Sequence, residues 1–224
     1  MRDSKELWLK LHGNLPKYDV RLGTATAQSY VHDPKHLVFH AARYKFVSKM
    51  LEGRRSALEI GCCDGFGAPI VAQAVDRLIC TDIDAATIAD NIARHSSAFP
   101  NITYRYHDFR AAPFDERLSA VYLIDVLEHI YPEEERALMQ NMVASIEAAG
   151  VAIIGTPNIT AEVYASTHSK TGHVNLKDHK ALRALCNEYF GNVFLFSMND
   201  EVLHTGFQPM SHYIWALCAG VRKA

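Results

Sequence analysis

The sequence predicts an α/β protein: a Rossmann-like three-layer sandwich on a mostly parallel seven-stranded sheet with an antiparallel C-terminal edge strand. Three observations predict this fold. Short apolar runs alternate with amphipathic segments of helical length, a glycine-rich turn follows the first of these runs, and several later runs end on an acidic residue. Strands that alternate with helices indicate a parallel sheet that is covered by helices on both faces.

Apolar runs of strand length predict seven strands, at residues 56–60, 77–82, 101–107, 118–125, 151–156, 192–197 and 212–219. Apolar residues at helical spacing predict the helices between them, at residues 66–74, 84–95, 133–148 and 176–189. An earlier helix is predicted from Asp33 to about Glu52, and its His40 and Arg43 are expected to be solvated. No segment of helical length separates the last two strands, which predicts an antiparallel pair at the edge of the sheet.

Two parts of the chain are distinguished, an N-terminal arm or cover at residues 1–36 and one domain at residues 37–224. The arm is polar with scattered aromatic residues, and Leu7, Trp8 and Leu11 predict a short helix within it. With 224 residues and 49% apolar content, the chain suits one core, since a domain typically holds roughly 100–200 residues.

Composition argues against several classes of function, although it does not exclude a polymer substrate. The net charge of −2 offers no basic surface for nucleic acid. The apolar runs are shorter than the ~18 residues that a membrane span needs, and the first residues lack the apolar core of a signal peptide. Five cysteines, an odd number mostly within apolar runs, indicate free thiols in a reducing compartment. We therefore expect a cytoplasmic protein without a membrane span, whose oligomeric state the sequence does not indicate.

The glycine turn after the first strand selects among nucleotide-like ligands. Dinucleotide-binding turns follow the pattern G-x-G-x-x-G/A, but the frame that begins at Gly65 meets Ile70 where glycine or alanine is needed. No Gly-Lys-Ser/Thr follows, which also excludes a P-loop. Glu59 stands before the first glycine, where it would repel a phosphate and suits a cation. A pyrophosphate site is therefore not indicated.

The same stretch, residues 58–67, resembles the first motif of class I S-adenosylmethionine-dependent methyltransferases, E/D-x-G-x-G-x-G. Glu59, Gly61 and Gly65 match this motif, and Cys63 replaces its middle glycine. The small Cys63 side chain fits this position, although it crowds the backbone that would face the methionine part of the cofactor.

Three later motifs extend the resemblance through about residue 157. Asp82 matches the acid that binds the ribose hydroxyls, Asp108 matches the acid that binds the adenine amine, and residues 125–129 match the fourth motif. The resemblance implies S-adenosyl-L-methionine as the cofactor. The cofactor-binding residues that it implies are Glu59, Gly61, Cys63, Gly65, Asp82, Ile83, Asp108, Phe109 and Asp125.

A second group, Asp125, Glu128, His129 and the distal His173, resembles two kinds of site. It is similar to the E-x-x-E-H set of Mg²⁺-dependent small-RNA 2′-O-methyltransferases, with Asp125 in place of the usual glutamate. It is also similar to the acid-acid-His cluster of quinone-biosynthesis O-methyltransferases. These resemblances imply a site for Mg²⁺ or another divalent cation on the four residues, and they make His129 and His173 the candidate catalytic residues. The alternative is a metal-free site in which the residues cap the next helix or position the substrate.

We therefore expect a methyltransferase that O-methylates a small hydroxyl-bearing acceptor, with a sugar or glycan precursor as the first hypothesis. This hypothesis depends on the polar loop at residues 156–179 and on the absence of a basic surface. The chain also resembles bacterial methyltransferases that are often linked to surface polysaccharides. The alternatives are a Mg²⁺-dependent RNA 2′-O-methyltransferase, a quinone or phenol O-methyltransferase, an N-methyltransferase, and a non-catalytic protein that binds S-adenosylmethionine.

Overall fold

The computed structural model describes residues 3–95 and 97–222. The helices are α1 (Ser4–Gly13), α2 (Thr24–His32), α3 (His36–Met50), α4 (Ala68–Ala72), α5 (Ala85–His95), α6 (Pro132–Ala144), α7 (Thr167–Gly172) and α8 (His179–Tyr189). The strands are β1 (Arg54–Ile60), β2 (Val75–Asp82), β3 (Ile102–Tyr106), β4 (Leu118–Ile124), β5 (Ile146–Pro157), β6 (Phe190–Asn199), β7 (Val202–His204) and β8 (Tyr213–Val221). Short 3₁₀ turns span Leu127–His129, Ile159–Tyr164 and Gln208–Met210.

The strands form one sheet in the order β3-β2-β1-β4-β5-β8-β6-β7. The pairs from β3 through β5 are parallel, whereas β8 is antiparallel to both of its neighbours, β5 and β6. The predicted α/β class and mostly parallel sheet are confirmed. The sheet has eight strands rather than seven, because the three-residue β7 is too short to produce an alternating pattern in the sequence.

The predicted antiparallel edge is confirmed, and the last two predicted strands pair antiparallel as β6 and β8, although the C-terminal strand is not the outermost one. The edge is β7, which pairs with β6 only, and β8 lies between β5 and β6. The reason is burial: Tyr213 to Ala216 at the start of β8 are all buried. A strand covered on both faces gains most from hydrogen-bonded partners on both sides.

Two apolar clusters fill the spaces between the sheet and its helices. One cluster joins Phe46 and Val47 of α3 to Trp215 of β8, beneath α3, α4 and α5. The other joins Met139 of α6 and Leu182 of α8 to the opposite face. Helices on both faces make the predicted three layers, and the hydrophobic stripes of α5 and α8 face the sheet.

The arm divides into two unlike parts. Helix α1 forms as predicted but buries none of its residues, and its Trp8 side chain is exposed. Helix α2 packs beside α3 and reaches the glycine turn.

All five cysteines are free, and all but Cys63 are buried, in agreement with the expectation of free thiols. Within residues 3–95 and 97–222, no helix combines the length and the apolar character that a membrane crossing requires.

Gly155 of β5 provides a test of the packing in the first cluster. A Cβ atom at this position would lie 2.5 Å from the buried Trp215 ring. We predict that Gly155→Ala lowers the free energy of unfolding by about 1–3 kcal/mol, because the core must shift to make room. Urea unfolding measures this change. Gly13→Ala is the control, since nothing lies within 4 Å of a Cβ atom there; equal stabilities of the two variants would contradict the prediction.

Candidate functional site

The candidate site lies at the carboxyl ends of the parallel strands, where β1 and β4 are neighbours. Ligands of open α/β sheets bind at such a switch point, where the chain connections diverge. Strand β1 continues into the glycine turn at residues 61–67, β2 ends on Asp82, and β4 is followed by Asp125. The fold therefore brings together the strand ends that the sequence singles out.

Two glycines of the turn occupy positions that exclude a side chain. Gly61 has φ of 73°, and a Cβ atom there would lie 2.4 Å from Cγ2 of Val126. Gly65 has φ of 72°, and a Cβ atom there would lie 2.8 Å from the Tyr104 hydroxyl. Cys63 also lies in the left-handed region, with φ of 46°, which non-glycine residues seldom adopt. Cys63 is the one position where the turn departs from the motif, and its backbone keeps the conformation that glycine favours.

Asp82 holds the turn in place through the backbone. Its carboxylate accepts hydrogen bonds from Cys63 N–H at 2.9 Å and from Asp84 N–H at 3.0 Å, one on each oxygen. Each oxygen retains a further lone pair, so the carboxylate can still accept bonds from two hydroxyl groups. The neighbouring Ile83 is 57% exposed, which leaves an apolar surface beside this acceptor.

Asp108 and Phe109 lie at the end of β3, and their side chains have different surroundings. The Asp108 carboxylate accepts three hydrogen bonds from Arg110, two of them through the guanidinium, and these bonds lower the pKa of Asp108. Phe109 is buried against Phe114 in the second cluster. A ligand at this point would therefore contact the ionised Asp108 carboxylate, part of which already bonds to Arg110. It would contact the backbone of Phe109 rather than its ring.

Glu59 lies beneath the glycine turn and is 1% exposed. Burial raises the pKa of its carboxyl group to about 7, although the nearby Cys80, Tyr44 and Tyr122 act in the opposite direction. Within the described part of the chain, neither carboxyl oxygen has a well-formed hydrogen bond. Glu59 is therefore a buried carboxyl group with unused hydrogen-bonding capacity directly below the turn.

The expectation that His40 and Arg43 are solvated is wrong. Arg43 of α3 donates a 2.5 Å hydrogen bond to Oδ2 of Asp125, and its guanidinium lies 3.9 Å above the centre of the Tyr213 ring. His40 Nε2 lies 3.6 Å from the same carboxylate oxygen. Burial lowers the pKa of His40 to about 4, so its imidazole is neutral. Helical spacing alone does not reveal this, because the partner is 82 residues away.

Asp125 is ionised in spite of its surroundings. Burial opposes its ionisation, but the charge of Arg43 acts together with the nearby His40 and with hydrogen bonds to the carboxylate, and their combined effect lowers the pKa of Asp125. The residue also has φ of 55°, a strained conformation of the kind that clusters at functional sites. A single ion pair therefore fixes one negative charge at the end of β4.

A cavity of about 190 Å³ connects these groups. It lies between the glycine turn and the helices α2 and α3, and its lining includes Ser29, His40, Tyr44, Gly61, Cys63 and Asp125. The cavity thus has the turn on one side and a neutral imidazole and an ion-paired carboxylate on the other. The walls of the cavity come from α2, α3, the glycine turn and the end of β4, which are distant from one another in the sequence.

Helix α2 covers this cavity through one specific attachment. Asp64 of the turn accepts hydrogen bonds from the Thr26 backbone N–H at 2.7 Å and from its hydroxyl at 2.8 Å. Gly23 lies so close that a Cβ atom there would be 2.3 Å from Cβ of Asp64. The second half of the arm is therefore fastened to the turn, which agrees with a cover over the cavity.

Glu128 lies in the 3₁₀ turn that follows Asp125. Its carboxyl group is protonated, whereas that of Asp125 is ionised. It is fully buried, and burial, with the nearby charge of Asp125, raises the pKa of Glu128 to about 8. Oε2 accepts a hydrogen bond from the Thr156 hydroxyl at 3.0 Å. Oε1 has no partner within the described part of the chain. Glu128 is thus a buried, protonated acid at neutral pH with one oxygen unused.

His129 and His173 converge beside Glu128. Their ring centres are 5.2 Å apart, and His129 Nδ1 lies 2.9 Å from the carbonyl oxygen of Gly172. Because a carbonyl only accepts hydrogen bonds, Nδ1 carries the proton and Nε2 carries a lone pair. Among the described residues, ligand atoms of Glu128, His129 and His173 lie within 4.8 Å of one another, and Asp125 is not part of this group.

Residues 156–179 are more ordered than a polar loop. They contain a 3₁₀ turn and α7, and the Glu128 carbonyl accepts hydrogen bonds from Val174 and Asn175 N–H. Asn175 also donates to Glu135 of α6 at 2.7 Å, and Lys177 forms an ion pair with the same carboxylate at 2.6 Å. This network holds His173 next to His129, and the sequence offered no signal for it.

A second cavity, of about 230 Å³, lies under this segment. Its lining combines small or apolar side chains with polar ones: Pro157, Asn158, Ala161, Glu162, Tyr164, Ala165, Ser169, His173, Leu176 and His212. His173 belongs both to this lining and to the cluster with Glu128 and His129. The three-residue cluster therefore borders the second cavity through His173.

Comparisons with known proteins find methyltransferases. Residues 57–150 match the family described as "Methyltransferase domain". A probable S-adenosylmethionine-dependent methyltransferase of Mycolicibacterium smegmatis is 28% identical over 120 residues, which are 53% of this chain and 44% of that protein. The match thus spans less than half of this curated relative.

Solved structures are similar over most of the chain. The N-methyltransferase NodS from Bradyrhizobium japonicum WM9, in complex with S-adenosyl-L-homocysteine, has a TM-score of 0.66 at 16% identity, covering 88% of this chain and 93% of that one. The methyltransferase domain of bacterial CtHen1-C has a TM-score of 0.67 at 12% identity, covering 81% and 98%. At these identities the similarity shows the fold.

Glu59 gives the site a measurable pH dependence. Its pKa is about 7 in the folded state against 4.5 for the ordinary group, so the folded protein binds more protons between these values. Stability that depends on Glu59 is therefore present below about pH 4.5 and is lost as the pH rises to about 7. We predict that the unfolding free energy of the wild type falls relative to that of Glu59→Gln between pH 5 and pH 8. Parallel profiles from denaturant titrations would contradict this.

Proposed function

We propose that the protein transfers a methyl group from S-adenosylmethionine to a small hydroxyl-bearing acceptor, and the match of residues 57–150 to the family described as "Methyltransferase domain" supports the proposal. The observation that carries the proposal is the junction of the glycine turn, Asp82 and the 190 Å³ cavity at the switch point of the sheet. The acceptor side of the proposal depends on the cluster around His129.

The cofactor would lie across the ends of β1, β2 and β3. The remaining lone pairs of Asp82 suit the two ribose hydroxyls, and the exposed Ile83 suits one face of the adenine ring. The methionine part would enter the cavity beside Gly61 and Cys63. Glu59 underlies this part of the turn, and its unused carboxyl oxygens supply hydrogen-bonding capacity close to the amino group of the ligand.

Methyl transfer to a hydroxyl requires a base as well as alignment. An acceptor oxygen attacks the methyl carbon in line, the carbon–sulfur bond breaks, and sulfur keeps the electron pair. The acceptor proton then needs a lone pair to receive it. His129 Nε2 offers one, because its Nδ1–H is engaged with the Gly172 carbonyl. His129 is the proposed base, and His173 beside it positions the acceptor.

The second cavity is the proposed acceptor site. Its volume of about 230 Å³ suits one small ring, and its polar groups include Asn158, Ser169 and His212. Side chains that donate and accept hydrogen bonds are suited to a polyhydroxylated ring such as a sugar. This arrangement supports the hypothesis of a sugar or glycan precursor.

Asp82→Ala tests cofactor binding. We predict that this substitution weakens the binding of S-adenosylhomocysteine by about 1–3 kcal/mol, because the ligand loses its ribose acceptor and the turn loses the bond to Cys63 N–H. Isothermal titration calorimetry measures the change. Asp115→Ala is the matched control, since that carboxylate pairs with Arg105 at the surface. Equal affinities of the wild type and Asp82→Ala would refute this cofactor assignment.

A divalent cation at Glu128, His129 and His173 is the second candidate for activating the acceptor. The residues fit such an ion: their ligand atoms lie within 4.8 Å of one another, and Oε1 of Glu128 is buried without a partner among the described residues. A cation would displace the proton from Glu128 on binding and would lower the pKa of an acceptor hydroxyl. The ion pair with Arg43 keeps Asp125 outside this ligand set.

Metal binding is measurable without a known acceptor. If the cation is bound, we predict that Mn²⁺ titrates into chelator-treated protein with one site, and that His173→Ala reduces its affinity at least about tenfold. Electron paramagnetic resonance of free Mn²⁺ gives the affinity. His32→Ala, a surface histidine of α2, serves as control. Identical titrations of wild type and His173→Ala would exclude the cation at this cluster and leave His129 as the base.

A further inference from the structure

Five large apolar side chains on segments next to the second cavity are exposed to solvent, and one of them, Tyr164, lines the cavity. They belong to two neighbouring 3₁₀ turns, Ile159–Tyr164 and Gln208–Met210, and to the residue before the second turn. Their exposed fractions are 44% for Ile159, 72% for Val163, 81% for Tyr164, 71% for Phe207 and 74% for Met210. We call these five residues the apolar rim. Exposed apolar patches of this kind mark binding sites in soluble proteins.

The two halves of the rim are held together by specific contacts. Asn158 Nδ2, at the start of the first turn, donates hydrogen bonds to the carbonyl oxygens of Gln208 and Ser211. The rings of Tyr164 and His212 lie 6.3 Å apart. Asn158, Tyr164 and His212 also line the second cavity. The rim and the cavity are therefore one continuous surface that leads inward to His173.

The size and the chemistry of this surface change along its depth. The cavity of about 230 Å³ is smaller than the roughly 300–1,000 Å³ of sites that enclose a whole drug-sized ligand. Polar groups lie inside it, whereas the rim is apolar. A ligand whose polar head fills the cavity has room for an attached apolar part only outside it, where the rim offers apolar surface.

We propose that the acceptor is an uncharged amphiphile whose polar head enters the second cavity and whose alkyl or prenyl chain lies across the apolar rim. This inference rests on the proposed methyl transfer and adds the class of acceptor. Charge favours a neutral molecule: residues 159–164 and 208–210 contain Glu162 and no lysine or arginine, and Lys170, whose Nζ lies 3.5 Å from the Val163 carbonyl oxygen, offsets that one negative charge. An anionic lipid surface would instead select for basic residues at this position.

The experiment compares two glucosides that differ only in their chain. The full chain is first saturated with S-adenosylhomocysteine, and its binding is recorded separately. Calorimetry then measures n-octyl β-D-glucoside, below its critical micelle concentration, against methyl β-D-glucoside. We expect the octyl compound to bind at least about tenfold more tightly, because burial of methylene groups on the rim is favourable.

Paired variants identify the surface responsible. Val163→Ser combined with Phe207→Ser should remove the preference for the octyl chain. Val20→Ser should leave it unchanged, because Val20 is 71% exposed but lies in the arm next to Arg21, which pairs with Asp90 of α5. Protein that fails to bind S-adenosylhomocysteine would contradict the proposed function itself.

Three results would overturn the amphiphile proposal while leaving cofactor binding intact. The first is no measurable binding of octyl glucoside, and the second is equal binding of the two glucosides. The third is a preference that survives in the Val163→Ser/Phe207→Ser variant. Binding to phosphatidylcholine vesicles without tighter binding of the monomeric octyl compound would assign the rim to a bilayer surface instead, and would equally overturn the proposal.

Discussion

The ion pair between Arg43 and Asp125 determines the arrangement of charge in the site. It joins α3, which precedes the sheet, to the end of β4 at its centre, with the guanidinium stacked on Tyr213 of β8. Burial, together with the negative charge of Asp125, raises the pKa of the neighbouring Glu128 to about 8. The side chains of Arg43 and Asp125 are only 15% and 24% exposed, so the loss of either leaves the other as a largely buried charge without its partner. The pair therefore links the stability of the fold to the chemistry of the site.

The Arg43–Asp125 ion pair lies between two parts of the site at the switch point of the sheet. On one side, the glycine turn and Asp82 offer backbone and carboxylate acceptors, and α2 closes over them through Thr26 and Asp64. On the other side, the segment at residues 157–176 shapes the second cavity. A sulfonium ligand in the first cavity would meet the carboxylate of Asp125, whose negative charge already has a partner in Arg43. Around Asp125 the site thus carries little net charge.

The sequence predicted the features that depend on neighbouring residues. A strand, a glycine turn and a terminal acid are local patterns, so Gly61, Gly65 and Asp82 were found where the structure places them. Contacts between distant segments left no local signal. Arg43 and Asp125 are 82 residues apart, and Arg43 resembles any solvated residue on a helix. Strand order is similarly non-local: the residues of β8 show that the strand is buried, but they do not say which strands flank it.

His129 illustrates why geometry was needed to interpret a candidate residue. The sequence placed it next to Glu128, but its role depends on which ring nitrogen carries the proton. The Gly172 carbonyl decides this, and Gly172 is held near His129 because Val174 and Asn175 bond to the Glu128 backbone. The bonds from Asn175 and Lys177 to Glu135 fasten this segment to α6. The orientation of the His129 ring, and with it the nitrogen that carries the lone pair, therefore depends on contacts among α6, the 3₁₀ turn at 127–129 and the segment after β5.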